Sequence, residues 1–306
     1  MTSIEKISYS GWPACWRLRN STVELIATSD VGPRVMRFAF VGGENVLCEL
    51  ADTLGKTGGT QWRNYGGHRL WHAPESRPRT YHPDNTPVLV QVLDDGIRLT
   101  QPAEPTTGIQ KELQLTLDPH AAQATLHHRL TNQNLWPVTL APWAITVMAA
   151  GGVAVFPLAP RGSHSTELLP NGSLSLWSYT DMSDARWTWG RQYVLLRQDP
   201  AAQTPQKTGG PVPAGWAAYW RAGQLFIKSF PFRPGAEYPD RGCSFETYTD
   251  AQILELESLG PLTTLQPGAS VEHVEHWHLV RDVPPVGREA DVTAHVLPHL
   301  PAPQPV

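Results

Sequence analysis

The chain is poor in the features that mark several large classes of protein. It has three cysteines in 306 residues, Cys15, Cys48 and Cys243, an odd number at wide and irregular spacing. A disulfide framework needs paired cysteines in a short secreted chain, so reduced thiols in a cytoplasmic protein are the expectation. Charged residues make up 17% of the chain and the formal net charge is -4, with no run or stripe of Lys and Arg. That distribution gives no electrostatic footprint for nucleic acid. No stretch of about 18 apolar residues occurs, and the N-terminus MTSIEKISYSGWPACW lacks the apolar core of a secretion signal, so no membrane association is expected. Long helical patterns are scarce as well. The 29 prolines and 25 glycines cut the chain into runs shorter than a helix needs.

What remains is a long series of strand signals. Val35–Phe40 and Asn45–Glu49 flank a Gly42-Gly43 turn, and Val88–Leu93 and Ile97–Gln101 flank Asp94-Asp95-Gly96. Gln110–Leu117 and Gln123–Leu130 alternate across Asp118-Pro119-His120. Further strands are expected at Val138–Ala149, Trp216–Arg221, Leu225–Phe230, Ser244–Tyr248, Gln252–Ser258 and Val271–Val280. Ser183–Arg191 is the one segment with a helical cast, Gln198–Gly215 reads as an exposed loop, and a proline-rich tail runs from about 284 to 306. The expectation is one all-β domain over residues 1–306, two antiparallel sheets packed as a large sandwich.

The most informative stretch is Tyr238–Val280. Within Gln252–Ser258, Leu254 and Leu256 face one way while Ile253, Glu255 and Glu257 face the other, and Glu246 shares a face with Tyr248 upstream. Carboxylates and an aromatic on neighbouring strands suggest a polar groove floored by a sheet; a charged outer face would give the same alternation. The 12 tryptophans supply rings that stack on sugar C–H faces, although most would fill the core.

The segment ELESLGPLTTLQPGASVEHVEHWHL (255–279) is similar to the C-terminal part of galactose-mutarotase-like (aldose 1-epimerase-like) proteins, where a strand bearing a catalytic Glu precedes a loop, an L-x-PG turn and a long last strand. LTNQNLWPVTLAPW (130–143) resembles that family's T-N turn and P-V strand, and GGHRLWHAPE (66–75) resembles a wall of its sugar cleft. With YPDRGCSFETY (238–248), the chain looks most like the DUF4380-type branch of the superfamily, over roughly residues 20–282. The resemblance implies a β-supersandwich whose concave sheet face binds a sugar, no cofactor, and ring opening and reclosure by a base and an acid. It places Glu257 as the base, with Glu255 raising its partner's pKa by like-charge repulsion. Trp143 stands where mutarotases carry a histidine acid, so His68, His72 and Lys228 are the replacement acids to consider. Arg69, Trp71, Glu75, Asp240, Glu246 and Tyr248, with His68 and Trp143, are the expected sugar contacts.

Two other readings bear on the same residues. His68 and His72 with Glu75 have the spacing of a helical zinc pair, but Gly66, Gly67 and Pro74 break any helix and Arg69 follows the first His where a zinc-protease motif needs Glu, so no metal is expected. HVEHWHL puts His273 with Glu275 and Trp277 on one face and His276 with His278 on the other, which reads as a surface edge. Besides an epimerase, a non-catalytic carbohydrate-recognition protein fits the cleft. A polysaccharide lyase or hydrolase on a similar sandwich, with Tyr238, Tyr248, Arg69 and Lys228 available, is the third reading.

Overall fold

The computed structural model describes residues 2–301 and consists of two large antiparallel sheets, the all-β sandwich expected from the strand spacing. The first sheet runs Ser3–Tyr9, Trp12–Arg19, Val23–Thr28, Arg34–Phe40, His68–Ala73, Val138–Met148, Leu254–Leu259, Phe245–Thr249, Gln206–Gly210 and Ser175–Leu176, with Thr263–Leu265 paired alongside Val138–Met148. The second runs Trp187–Trp189, Tyr193–Arg197, Val153–Pro157, Trp216–Arg221, Gln224–Ser229, Ser270–Val280, Gln123–Asn132, Ile109–Leu117, Gly96–Thr100 and Leu89–Val92. Leu254 and Leu256 of the first sheet meet Phe226, Trp277 and Leu126 of the second in the largest apolar core. That contact defines the inner face of the Leu254–Leu259 strand and turns Glu255 and Glu257 outward.

Several segments depart from the sequence reading. Asn45–Glu49 forms no strand; Leu47 and Glu49 make isolated bridges to Met148 and Gly66, because Asn45 instead caps the Phe38 and Leu47 amides with its side chain. Ser183–Arg191 is no helix. Asp181 and Asp184 turn the chain by accepting from the Ser183 and Arg186 amides, and Trp187–Trp189 continues as a short strand. Within the expected loop Gln198–Gly215, Gln206–Gly210 is a buried strand of the first sheet. A seven-residue helix lies in the proline-rich tail, at Glu289–His295, and its Val292 packs with Val286 and Val296 against Leu225 and Ile227. Residues 302–306 of that tail lie outside the described residues. Among the described residues no helix is long and apolar enough to cross a membrane, and the three cysteines are buried and unpaired.

Candidate functional site

The strand register assembles the site. Glu257 pairs across to Ile145 on one side and Glu246 on the other, and Glu255 to Val147 and Tyr248. Trp143 pairs with Trp71 and Ile145 with Arg69. Lys207 pairs with Tyr248, and Gly209 with Glu246. Residues two apart in a strand share a face, so one outer face of the first sheet carries Arg69, Trp71, Trp143, Glu255, Glu257, Glu246, Tyr248 and Lys207 together. Gly209 has a specific reason. A Cβ there would come 2.6 Å from Cγ of Glu246, so the glycine gives that carboxylate its place.

Lys207 is the centre. Its Nζ lies 2.8 Å from Oε2 of Glu246 and 2.9 Å from Oε2 of Glu257, and 5.0 and 4.7 Å from the ring centroids of Trp143 and Trp177. The Trp143 indole N–H donates to Glu257 Oε2 at 2.8 Å. Beside it, Arg69 donates to Glu255 Oε1 at 3.1 Å and lies 4.7 Å over the ring of Trp71. Trp62, Trp71 and Tyr81 pack edge to face around it. A cavity of about 340 Å³ opens over this floor, from Glu75 and Arg77 on one rim to Trp177 and Asp240 on the other. The Tyr81 hydroxyl holds the exposed Glu75. Tyr248 is half-buried, with its hydroxyl 3.3 Å from Asp250.

Burial and crowding set the charges. Burial pushes Glu246 well above the usual carboxylate range, with the neighbouring Glu257 and Asp240 adding to it against Lys207. Glu255 rises through burial and Glu257, opposed by Arg69. Burial alone would lower Lys207, but Glu246 and Glu257 overcome it and hold the ammonium charged. Several buried polar atoms on this face have no partner: Oε1 of Glu246, Oε1 of Glu257, Nε and Nη1 of Arg69, and the Trp62 indole N–H.

Three residues expected at the cleft lie on the opposite side of the sheet. His68 and Lys228 point into the interior between the sheets, and His72 points inward to Glu104, 3.5 Å away, beside Lys111 from the second sheet. They alternate with Arg69 and Trp71, or in the case of Lys228 come from the second sheet, and so cannot reach the outer face. The histidines of HVEHWHL are no surface edge either. Ser270–Val280 is a central strand, and His273 and Glu275 are buried beneath the first sheet.

The interior groups satisfy one another. Lys228 Nζ donates to the Ala144 and Leu256 carbonyls and to Thr146 Oγ1, and stands 2.7 Å from Glu275 Oε1. His128 Nδ1 donates to the His273 carbonyl, so its Nε2 accepts from His68 Nε2 at 2.7 Å, and His68 Nδ1 accepts from Thr146. Ser258 joins His273 Nε2 to Glu275, and Trp277 donates to the other oxygen of Glu275. Burial lowers all three histidines, His273 to about 3, so they are neutral. His68, His128 and Glu275 place ligand atoms within 4.8 Å of one another. Their lone pairs are already taken within the network, and the Lys228 ammonium offsets Glu275, so the donor set suits a hydrogen-bonded rivet better than a metal ion.

Lys207, Trp177 and Arg77 escaped the sequence reading. Lys207 sits in QKTGG, a run with few β-formers and two glycines, and the signal that could have exposed it was the need for a cation between Glu246 and Glu257.

Comparison with known proteins agrees with this architecture. The Slr1438 protein from Synechocystis sp. PCC 6803 superposes with a TM-score of 0.59 at 12% identity, covering 90% of this chain and 99% of that one. A putative mutarotase (YeaD) from Salmonella typhimurium gives 0.57 at 11% identity, covering 87% and 90%. A galactose mutarotase-like protein from Lactobacillus casei gives 0.51 at 11%, covering 86% and 99%. No curated protein matches by sequence. These likenesses establish the galactose mutarotase-like sandwich. The profile of the family described as a domain of unknown function, DUF4380, matches residues 77–280, more than half of the sequence, and the chain therefore belongs to that family.

Proposed function

We propose that this protein binds a sugar on the outer face of its first sheet and exchanges the anomers of that sugar in the manner of an aldose 1-epimerase. The observation that carries this reading is the set of buried polar atoms without partners, carboxyl oxygens on Glu246 and Glu257 and donors on Arg69 and Trp62, among the rings of Trp62, Trp71, Trp143 and Trp177. A pyranose offers hydroxyls that both donate and accept, and C–H faces that stack on indole. The fold shared with a putative mutarotase supports the same reading.

Glu257 is the base. Its Oε2 is held by Trp143 and Lys207 while Oε1 is left to accept the proton of an anomeric hydroxyl. Glu246 and Glu257 have no surface of their own exposed, so the sugar must displace the cover formed by Trp177. That cover is light. It hangs on Ser175–Leu176, an edge strand of two residues that follows the fully exposed segment 160–173.

One observation favours a non-catalytic carbohydrate-recognition protein instead. Trp143 occupies the position where the family resemblance places an acid, and its N–H is committed to Glu257. Saturation-transfer NMR against common monosaccharides tests binding, and anomer-exchange NMR on each hit tests catalysis. Glu257→Gln keeps size and hydrogen-bonding reach, so exchange should fall by about 10² to 10⁴-fold with binding retained. Undiminished exchange in that variant removes Glu257 from the mechanism, binding without exchange favours recognition, and no bound sugar overturns both.

A further inference from the structure

The outer-face cluster holds more carboxylates than cations. Glu246 and Glu257 are fully buried, directly opposed in antiparallel register, and share the single ammonium of Lys207. Asp240 lines the same cavity as Glu246, and its negative charge bears on that carboxyl. It comes from a turn in which Asp240 and Arg241 both take left-handed backbone angles, φ 51° and 67°, and is tied back by Ser175 donating to its carbonyl. Left-handed geometry at two successive non-glycine residues costs free energy and persists only where surrounding contacts impose it. Three carboxylates crowded around one ammonium cannot all stay ionised, so the cluster retains a proton. Lys207 lies equally close to both carboxylates, but the Trp143 indole N–H donates to Glu257 alone, while Glu246 has no such donor and the negative charge of Asp240 bears on it. The proton therefore rests on Glu246.

We propose that Glu246 is the general acid of this site, donating to the sugar ring oxygen the proton that a histidine at position 143 would otherwise supply. This rests on the epimerase reading and extends it. Glu257 removes the anomeric hydroxyl proton, the C1–O bond of the ring breaks with its electron pair passing to the ring oxygen, and that oxygen takes the proton from Glu246. The open-chain aldehyde turns about C1–C2 and the same steps run backwards on its other face. No oxidant or co-reactant is consumed, and the two carboxyls end as they began. Two carboxyls in different surroundings, Glu257 held by an indole N–H and Glu246 crowded by Asp240, have the division of labour this needs. The groups facing Glu246 are Lys207, Glu257, Asp240 and Cys243. Tyr179 and Glu75 stand further out around Lys207, Asp240 and Glu257.

The first test needs no turnover. Infrared spectra of the whole protein at neutral pH should contain the C=O stretch of a buried protonated carboxylic acid. Incorporating glutamate labelled with carbon-13 at Cδ should shift that band, and Glu246→Gln should remove it. Gln is the uncharged isostere of the protonated side chain, so the variant should fold. A spectrum without a glutamic-acid band overturns the proposal whatever the activity. The second test is anomer exchange, where Glu246→Gln should lose about 10² to 10⁴-fold, the loss also expected of Glu257→Gln. Asp240→Asn removes the negative charge that bears on Glu246 and should lower the pH at which exchange fails on the alkaline side. Full exchange in Glu246→Gln overturns this proposal and leaves the epimerase reading standing, whereas no exchange in the unmodified protein overturns the two together.

Discussion

The indole N–H of Trp143 donates to Oε2 of Glu257, 2.8 Å away, and the bond assigns the tryptophan its task. A residue that cannot deliver a proton instead orients the carboxylate next to it and stabilises its charge. Both groups are buried, and a hydrogen bond to a charged group contributes about 1.5–3 kcal/mol. Trp143→Phe keeps most of the stacking area and loses the donor. It should lower unfolding stability by about that amount in denaturant titrations. A midpoint unchanged from the parent would show that the bond carries no weight.

Lys207 separates carboxylates that would otherwise repel. Lys207→Met leaves Glu246 and Glu257 buried without a counter-charge, and losing one partner of a buried ion cluster costs about 3–5 kcal/mol. The sign with pH follows from the direction of the shifts. Glu246 and Glu255 already titrate above the usual carboxylate value, so their contribution is fully present in acid and is lost as pH rises through their folded values. Removing Lys207 strengthens that trend. The variant should recover stability as the pH is lowered from 8 to 5, by more than the parent does, and an equal deficit at both pH values would refute the charge argument.

How far the sequence disclosed this site depends on what alternation can say. LELESL showed that Glu255 and Glu257 share a face because their neighbours Leu254 and Leu256 are apolar, and the register of the neighbouring strands then brought Glu246, Trp143 and Arg69 beside them. The strand pairs joined by short turns were equally plain. Alternation does not reveal whether a second layer covers a face. The polar face of HVEHWHL is indistinguishable from a solvated one until the first sheet is laid on it, and nothing in the strand of Lys228 shows that Glu275 stands opposite and takes it out of the cleft. Lys207 was hidden for a different reason. Its strand has little propensity of its own and is held where Gly209 lets Glu246 pass and two carboxylates grip the lysine.

The interior histidines give the protein an acid limit. Burial depresses His68, His128 and His273, the last to about 3, so the unfolded chain takes up protons that the folded one refuses. Stability held above the unfolded value near 6.5 is therefore lost as pH falls below it. Each such group contributes a slope of about 1.4 kcal/mol per pH unit. Replacing His273 by Gln retains a donor towards Ser258 and removes one titrating group. Between pH 6 and 4 the stability of the variant should fall less steeply than that of the parent by about that one-proton slope. Parallel curves would mean that His273 is protonated in the folded state.

Gly209 offers a test of how tightly the floor is built. An added Cβ would lie 2.6 Å from Cγ of Glu246, 2.7 Å from the Phe245 carbonyl oxygen and 3.1 Å from Sγ of Cys243. The carbonyl belongs to a paired strand and cannot retreat, so the side chain of Glu246 has to move. Moving it separates the carboxylate from Lys207 and from its place opposite Glu257. Overpacking of this kind costs about 1–3 kcal/mol. Gly209→Ala should therefore lower stability by that amount and also weaken sugar binding, although residue 209 presents no side chain to any ligand. Gly223→Ala is the control for the fold alone. That glycine has a positive φ of 80° and no atom within 4 Å of an added Cβ, so it should lose stability through backbone strain while binding is unchanged. If Gly209→Ala binds sugar as the parent does, the position of Glu246 is not what the cleft depends on.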